Sequence, residues 1–152
     1  MSKDRGRDPK ALVSALSSLS RREHSAWELK KKLEQKGYNL VEIAQAVEEC
    51  QRLGYQSDDR FVEVLYRARI GQGYGPVRIK QELEAKGIGA AMIEQVLLHE
   101  AEESWLERAV VVARKKCQTV AHLSWDDQQK LKRFLLYRGF PGSVIAGVFE
   151  KF

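Results

Sequence analysis

Apolar residues recur along this chain in runs of helical period, and three of those runs share one ending. Leu33 leads to Gly37-Tyr38 and on to Ile43 and Val47; Leu83 leads to Gly87-Ile88, Ile93 and Leu97; Leu135 leads to Gly139-Phe140, Ile145 and Phe149. The first two copies register at an offset of 50 residues and the third follows after a further 52. Self-similarity at such a period marks stacked supersecondary units. No segment sustains the period-two alternation of a strand. The pattern predicts an all-α fold of nine helices in three tandem three-helix repeats, forming an elongated, curved, solenoid-like array. The repeats are expected at 11–56, 57–103 and 104–152, behind a flexible N-terminal segment at 1–10.

Most boundaries have a local cause. The first helix is expected from about Pro9 to Leu19. Ser25 with Glu28, and Asn39 with Glu42, have the spacing of capping boxes and open the second and third helices. Leu40, Ile43, Ala44 and Val47 form one apolar face of the third. Gly37 and Gly54 close their helices as residues free to turn left-handed. Asp58 and Asp59 suit the N-terminus of a fourth helix carrying Phe61, Val62, Leu65 and Tyr66. Pro76 suits the first position of the fifth, where its missing N–H is not needed. There Ile79 and Leu83 form the buried face and align with Leu29 and Leu33 of the second. Ile93, Val96 and Leu97 build the sixth, which is expected to run almost directly into a seventh carrying Trp105, Ala109 and Val112. Ser124 and Asp127 cap an eighth with Leu131, Phe134 and Leu135 inward, and Val144, Ile145, Val148 and Phe149 carry the ninth. Trp27, Tyr66, Tyr74 and Trp125 are read first as packing residues, with partner contact as the alternative.

Composition narrows the function. The 152 residues are 43% hydrophobic and 31% charged, the profile of a soluble helical protein. No apolar run approaches the ~18 residues of a membrane span, and the start MSKDRGRDPK lacks the apolar stretch of a signal peptide, so a cytoplasmic protein is expected. Cys50 continues an apolar face and reads as an inert buried thiol. Cys117 follows Arg114-Lys115-Lys116, a context that lowers a thiol pKa and keeps a redox role open for it.

Enzymatic chemistry finds little footing. Gly71-Gln-Gly-Tyr-Gly75 lacks the Lys-Ser/Thr of a phosphate loop and the strand that precedes a dinucleotide loop, so it reads as a turn. His24, His99 and His122 stand apart and read as surface or turn residues. Glu48-Glu49 and Glu102-Glu103 lie among other charges as solvated surface. No enzyme, cofactor or metal site is expected.

Charge remains. The net +5 is uneven: eleven basic and eight acidic residues up to Tyr55, six and nine from Gln56 to Ser104, nine and four from Trp105 onward. The dense clusters are Lys30-Lys31-Lys32 with Lys36, Arg114-Lys115-Lys116, and Lys130-Lys132-Arg133 with Arg138, while Arg67, Arg69 and Arg78 surround the middle glycine turn. Such clusters either contact phosphates, with steep salt dependence, or simply solubilise helix faces. Composition leaves both readings open.

Arg21-Arg22-Glu23-His24-Ser25, Glu28-Leu29, Lys32-Leu33 and Lys36-Gly37 resemble the opening signature of the RecX family of bacterial recombinase regulators. Asp59-Arg60-Phe61, Arg69, Gly73-Tyr74-Gly75-Pro76, Arg78-Ile79, Glu82-Leu83 and Lys86-Gly87-Ile88 resemble its middle repeat nearly position for position. Arg133-Phe134-Leu135 and Arg138-Gly139-Phe140 resemble the third more loosely. The resemblance runs from about Ala11 to Phe152 and agrees with the three-repeat reading.

It implies a modulator of RecA, active in homologous recombination, DNA repair and the SOS response. Such proteins lodge in the helical groove of the RecA filament on DNA and inhibit filament growth, ATPase, strand exchange and coprotease activity. The partners expected are RecA and single- or double-stranded DNA, met directly or within the filament by a monomer without a cofactor. The candidate contact set is Arg21, Arg22, Lys30, Lys31, Arg67, Arg69, Tyr74, Arg78, Lys115, Lys130 and Arg133. A direct helical DNA-binding module acting without RecA is the alternative, because paired short helices around a glycine turn resemble a helix-turn-helix in outline. A protein-only scaffold is a third.

Overall fold

The local signals place the helices of the protein, whose computed structural model describes residues 9–152. Among the described residues there are nine α-helices, one 3₁₀ turn and no strand. They are α1 Pro9–Arg21, α2 Ala26–Gln35, α3 Leu40–Arg52, α4 Asp58–Gly71, α5 Pro76–Ala85, α6 Ala90–Leu97, α7 Glu102–Arg114, α8 Trp125–Tyr137 and α9 Gly142–Lys151, with the 3₁₀ turn Val120–His122 before α8. Pro9 and Lys10 of the N-terminal segment open α1, and the rest of that segment lies outside the described residues. No helix among the described residues is long and apolar enough to cross a membrane.

Two compact units account for the chain. One runs to Val64 and takes in Leu83–Met92; the other comprises Leu65–Glu82 and Ile93–Phe152. In the first, α1, α2 and α3 pack on one another around Ala11, Ala15, Leu29, Leu33, Ile43, Ala46, Val47 and Cys50. Burying a leucine such as Leu29 or Leu33 fully contributes roughly 1.5–3 kcal/mol. In the second, α7, α8 and α9 do the same around Trp105, Ala109, Val112, Leu131, Leu135, Phe140 and Val148, with Tyr66 edge-on to Trp105 at 6.4 Å between centroids.

Several expectations are corrected. Leu40 is 77% exposed and Ala44 is exposed; the buried stripe of α3 is Ile43, Ala46, Val47 and Cys50. Leu40 is the first residue of the helix, ahead of the packed turns, and Ala44 lies about 100° around the helix from Ile43. Phe134, Phe149 and Leu65 are half-buried. A break at residues 98–101 separates α6 from α7, and the unexpected 3₁₀ turn occupies the longer connection to α8. Trp125 is 72% exposed and does not pack in the core. Asn39 and Glu42 close a full capping box, but Ser25 and Glu28 close only half of one: Ser25 Oγ accepts from Glu28 N, and the Glu28 carboxylate turns elsewhere. The Cys117 thiol is pushed up by burial, so its basic neighbours do not activate it; Cys50 is pushed up by burial as well.

Candidate functional site

The repeated glycine forms a joint at equivalent positions in each of the two units. In the first, Gly87 follows α5 with φ +77° and lies so close to α2 that a Cβ there would sit 2.5 Å from Trp27 Cβ. Ser25, the N-cap of α2, donates from Oγ to Lys86 O at 2.7 Å. In the second, Gly139 follows α8 with φ +97°, and its Cβ would sit 2.5 Å from Arg78 Cβ on α5. Gly75 N donates to Arg138 O at 2.8 Å and Val77 N to Gly139 O at 2.9 Å. The offsets of 50 and 52 residues make the positions equivalent: His24 corresponds to Tyr74, Ser25 to Gly75, Glu28 to Arg78 and Lys86 to Arg138.

The positions are equivalent, but Lys86 O accepts from the Ser25 hydroxyl where Arg138 O accepts from the backbone N–H of Gly75, and the charged side chains differ as well. At the first joint the buried Glu28 carboxylate accepts from Arg22 Nη1 at 3.0 Å, Arg22 Nη2 at 2.6 Å and Lys86 Nζ at 2.9 Å. Burial acts to raise its pKa, yet the hydrogen bonds and charges of Arg22 and Lys86 outweigh burial and lower it to about 2. His24, expected as a surface or turn residue, lies in the connection between α1 and α2 but is buried beside this triad. Its Nε2 lies 2.9 Å from Lys32 Nζ and its Nδ1 3.0 Å from Arg22 O. A lysine ammonium only donates, so Nε2 accepts, Nδ1 carries the proton, and the ring is neutral. Burial depresses the His24 pKa, with the Arg22 and Lys32 charges adding to the effect. Gln56 donates to His24 O and to Asp58 Oδ1, which also accepts from Ala26 N. Sequence spacing could not place His24, because the groups that surround it include Gln56, far away in the chain.

At the second joint the equivalent of that carboxylate is a guanidinium. Arg78 lies over the Tyr74 ring at 4.2 Å and over Tyr137 at 5.5 Å; Arg138 lies over Tyr74 at 4.9 Å and over Phe134 at 5.2 Å; Lys116 lies over Phe134 at 4.6 Å. The sequence Lys116, Phe134, Arg138, Tyr74, Arg78, Tyr137 is thus an unbroken ladder of alternating cations and rings. Arg138 Nη1 also donates to Gln72 O at 2.8 Å, which holds the turn before α5. None of the three cations has a carboxylate partner among the described residues. Each cation–ring contact contributes about 0.5–1 kcal/mol at an exposed site, enough to hold the planes in place without neutralising the charge.

Of the candidate contact residues, the structure brings Tyr74 and Arg78 together here. Arg69 lies on α4 and is engaged by Glu82 at 2.7 Å and by Gln72; Arg22 is held by Glu28. Lys31 pairs with Glu34 at 4.0 Å and covers Trp27. Arg21, Lys30, Arg67, Lys115, Lys130 and Arg133 are exposed on the ends and outer faces of their helices. Arg138 and Lys116, read only as members of basic clusters, Phe134, read as inward, and Tyr137, not singled out, complete the ladder. The signal for Arg138 was present, because the 52-residue offset sets it opposite Lys86.

Comparison with known proteins extends over the same residues. The family model of the first three-helix domain of RecX matches residues 11–50, that of the second domain residues 57–97, and that of the third residues 102–149. The chain belongs to the RecX family. A regulatory protein RecX from Legionella pneumophila (strain Corby) is 50% identical over 142 residues, covering 93% of this chain and 94% of the relative. A RecX from Vibrio vulnificus is 38% identical over 127 residues, covering 84% and 82%. The crystal structure of RecX from Lactobacillus salivarius superposes with a TM-score of 0.81 at 26% identity, over 94% of each chain. The all-α repeat array is therefore the architecture of the RecX family.

Proposed function

We propose that this chain is a regulator of RecA. It binds the RecA nucleoprotein filament in its helical groove and inhibits filament growth, ATP hydrolysis, strand exchange and coprotease activity, and so modulates DNA repair and the SOS response. The observation that carries the reading is the ordered match of three RecX domains across residues 11–149. The repeats at 11–56, 57–103 and 104–152 are its modules. Regulation of this kind requires only that the protein bind one filament state more tightly than another, so no catalytic group or cofactor takes part. The protein acts in the cytoplasm as a monomer. Arg21, Arg22, Lys30, Lys31, Arg67, Arg69, Lys115, Lys130 and Arg133 are contact residues for RecA or DNA, and Tyr74 and Arg78 act through the second joint.

The test is RecA-dependent ATP hydrolysis on single-stranded DNA. Added protein is expected to slow it at ratios well below one per RecA. An unchanged rate at stoichiometric protein overturns the proposal. The alternative, direct DNA binding without RecA, is favoured by the uncompensated cations of the second joint. It predicts a salt-sensitive complex with DNA alone, and no complex at low salt rejects it.

A further inference from the structure

We propose that the second joint is a binding site for single-stranded nucleic acid, with phosphates on Arg78, Arg138 and Lys116 and an unpaired base stacked on Tyr137. This deepens the direct-DNA alternative and rests on it for the class of ligand. The first joint supplies the physical contrast. There, an internal carboxylate, Glu28, sits between two cations, Arg22 and Lys86, and offsets one of their two charges within the protein. At the second joint Arg78 stands where Glu28 stands, Arg138 where Lys86 stands, and no carboxylate of the described residues reaches either. An anion from outside fills the role that Glu28 fills within.

The rings select the kind of anion. A guanidinium stacked on a ring keeps its N–H edges directed sideways, the geometry for bidentate donation to a phosphate. Tyr137 is 74% exposed at the end of α8, with Arg78 over its ring. Aromatic faces and guanidinium planes in a cationic setting accept bases of any sequence, provided those bases are unpaired. A duplex keeps its base faces stacked and offers only phosphates. An acidic peptide offers charge without planar rings, so the exposed ring favours the single strand. The backbone bonds Gly75 N to Arg138 O and Val77 N to Gly139 O fix the spacing between the two arginines before any ligand arrives. That preorganisation limits the ordering cost of binding.

Fluorescence anisotropy of labelled oligothymidine with the full-length protein alone tests this. Wild type is expected to bind the single strand more tightly than a duplex of equal length or polyglutamate. Tyr137→Ala is expected to weaken the single strand about tenfold while leaving the salt slope unchanged. Arg78→Gln and Arg138→Gln are each expected to flatten the slope of log K against log salt by about 0.7. Arg78→Lys keeps the slope and still weakens binding, because the charge remains and the plane is lost. Arg52→Gln, on the outer face of α3, removes the same charge and is expected to change binding little. Circular dichroism melts report whether each variant is folded; if Arg138→Gln is not, Arg78→Lys and Tyr137→Ala carry the test. Equal binding of duplex and single strand, polyglutamate competing as well as the oligonucleotide, or wild-type affinity in Tyr137→Ala each overturns the site. RecA-dependent ATP hydrolysis measured in parallel separates the two readings: inhibition that persists where oligonucleotide binding fails overturns the site alone.

Discussion

The two glycine joints differ in where their charge goes. At the first, Arg22 and Lys86 converge on Glu28, Arg60 reaches Glu23 at 2.6 Å, and burial lowers the pKa of His24. At the second, Arg78, Arg138 and Lys116 rest on Tyr74, Phe134 and Tyr137. A carboxylate cancels a cation's field, whereas a ring orients it and leaves the field outside almost intact. The equivalent positions of the two joints therefore end in different electrostatics: at the first a buried carboxylate offsets part of the charge, and at the second three cations keep theirs. A count of lysines and arginines treats them alike, which is why composition could not separate phosphate contact from solubilisation.

The largest effect should come from filling the joint itself. Gly139→Val combines a left-handed backbone with a Cβ that would sit 2.6 Å from Arg78 N, and is expected to cost roughly 3–5 kcal/mol in urea unfolding. Gly37→Val, with φ +92° and nothing within 4 Å of the added Cβ, should lose only about 1–2 kcal/mol. Equal losses would show that the glycines serve the turn alone and not the joint.

Converting the first joint to the charge pattern of the second is next. Glu28→Arg leaves three cations about a buried position and should cost about 3 kcal/mol, less than a fully dry site because Arg22 and Lys86 are partly solvated. The same triad sets a pH dependence. The folded Glu28 pKa of about 2 lies below its ordinary 4.5, so its contribution is complete above pH 4.5 and is lost as pH falls toward 2. His24, also depressed, makes the fold lose stability as pH drops below the ordinary imidazole value of 6.5. Stability measured against pH should show both losses in wild type, and Glu28→Gln should flatten the lower one. An unchanged lower segment would mean that Glu28 is solvated and the triad absent.

The smallest effect on stability belongs to the reverse conversion. Arg78→Glu places a carboxylate between Arg138 and the base of α5, as at the first joint. It should stay within about 1 kcal/mol of wild type by thermal denaturation, because an exposed ion pair replaces cation–ring contacts of similar strength. Its binding of oligothymidine should fall to the level of the polyglutamate control, and retained affinity would place the strand elsewhere.

Much of the fold was legible because its causes are local. Asn39 with Glu42, Ser124 with Asp127, and Pro76 at a first helical position mark helix starts through bonds made within four residues. Leu29, Leu33, Ile79, Leu83 and Leu135 were read as inward from period alone and are buried. The misreadings sit where a distant group intervened. Glu28 fits a capping box by spacing, but Arg22 and Lys86 offer its carboxylate charged donors, which bind more strongly than a backbone N–H. Phe134 fits the inward stripe, yet it is only half-buried, with Lys116 and Arg138 over its ring.

By itself the sequence determined the helices, their caps, the family and the position of each repeated glycine, since these depend on neighbours a few residues apart. Tertiary structure decided what the glycines bring together. Lys86 meets Glu28 across 58 residues, and Arg138 meets the Gln72 carbonyl across 66. Pairings of that span arise only when one turn docks on another helix, and the lack of a Cβ at Gly87 and Gly139 is what allows the backbones to come close enough for charges to choose a carboxylate or a ring.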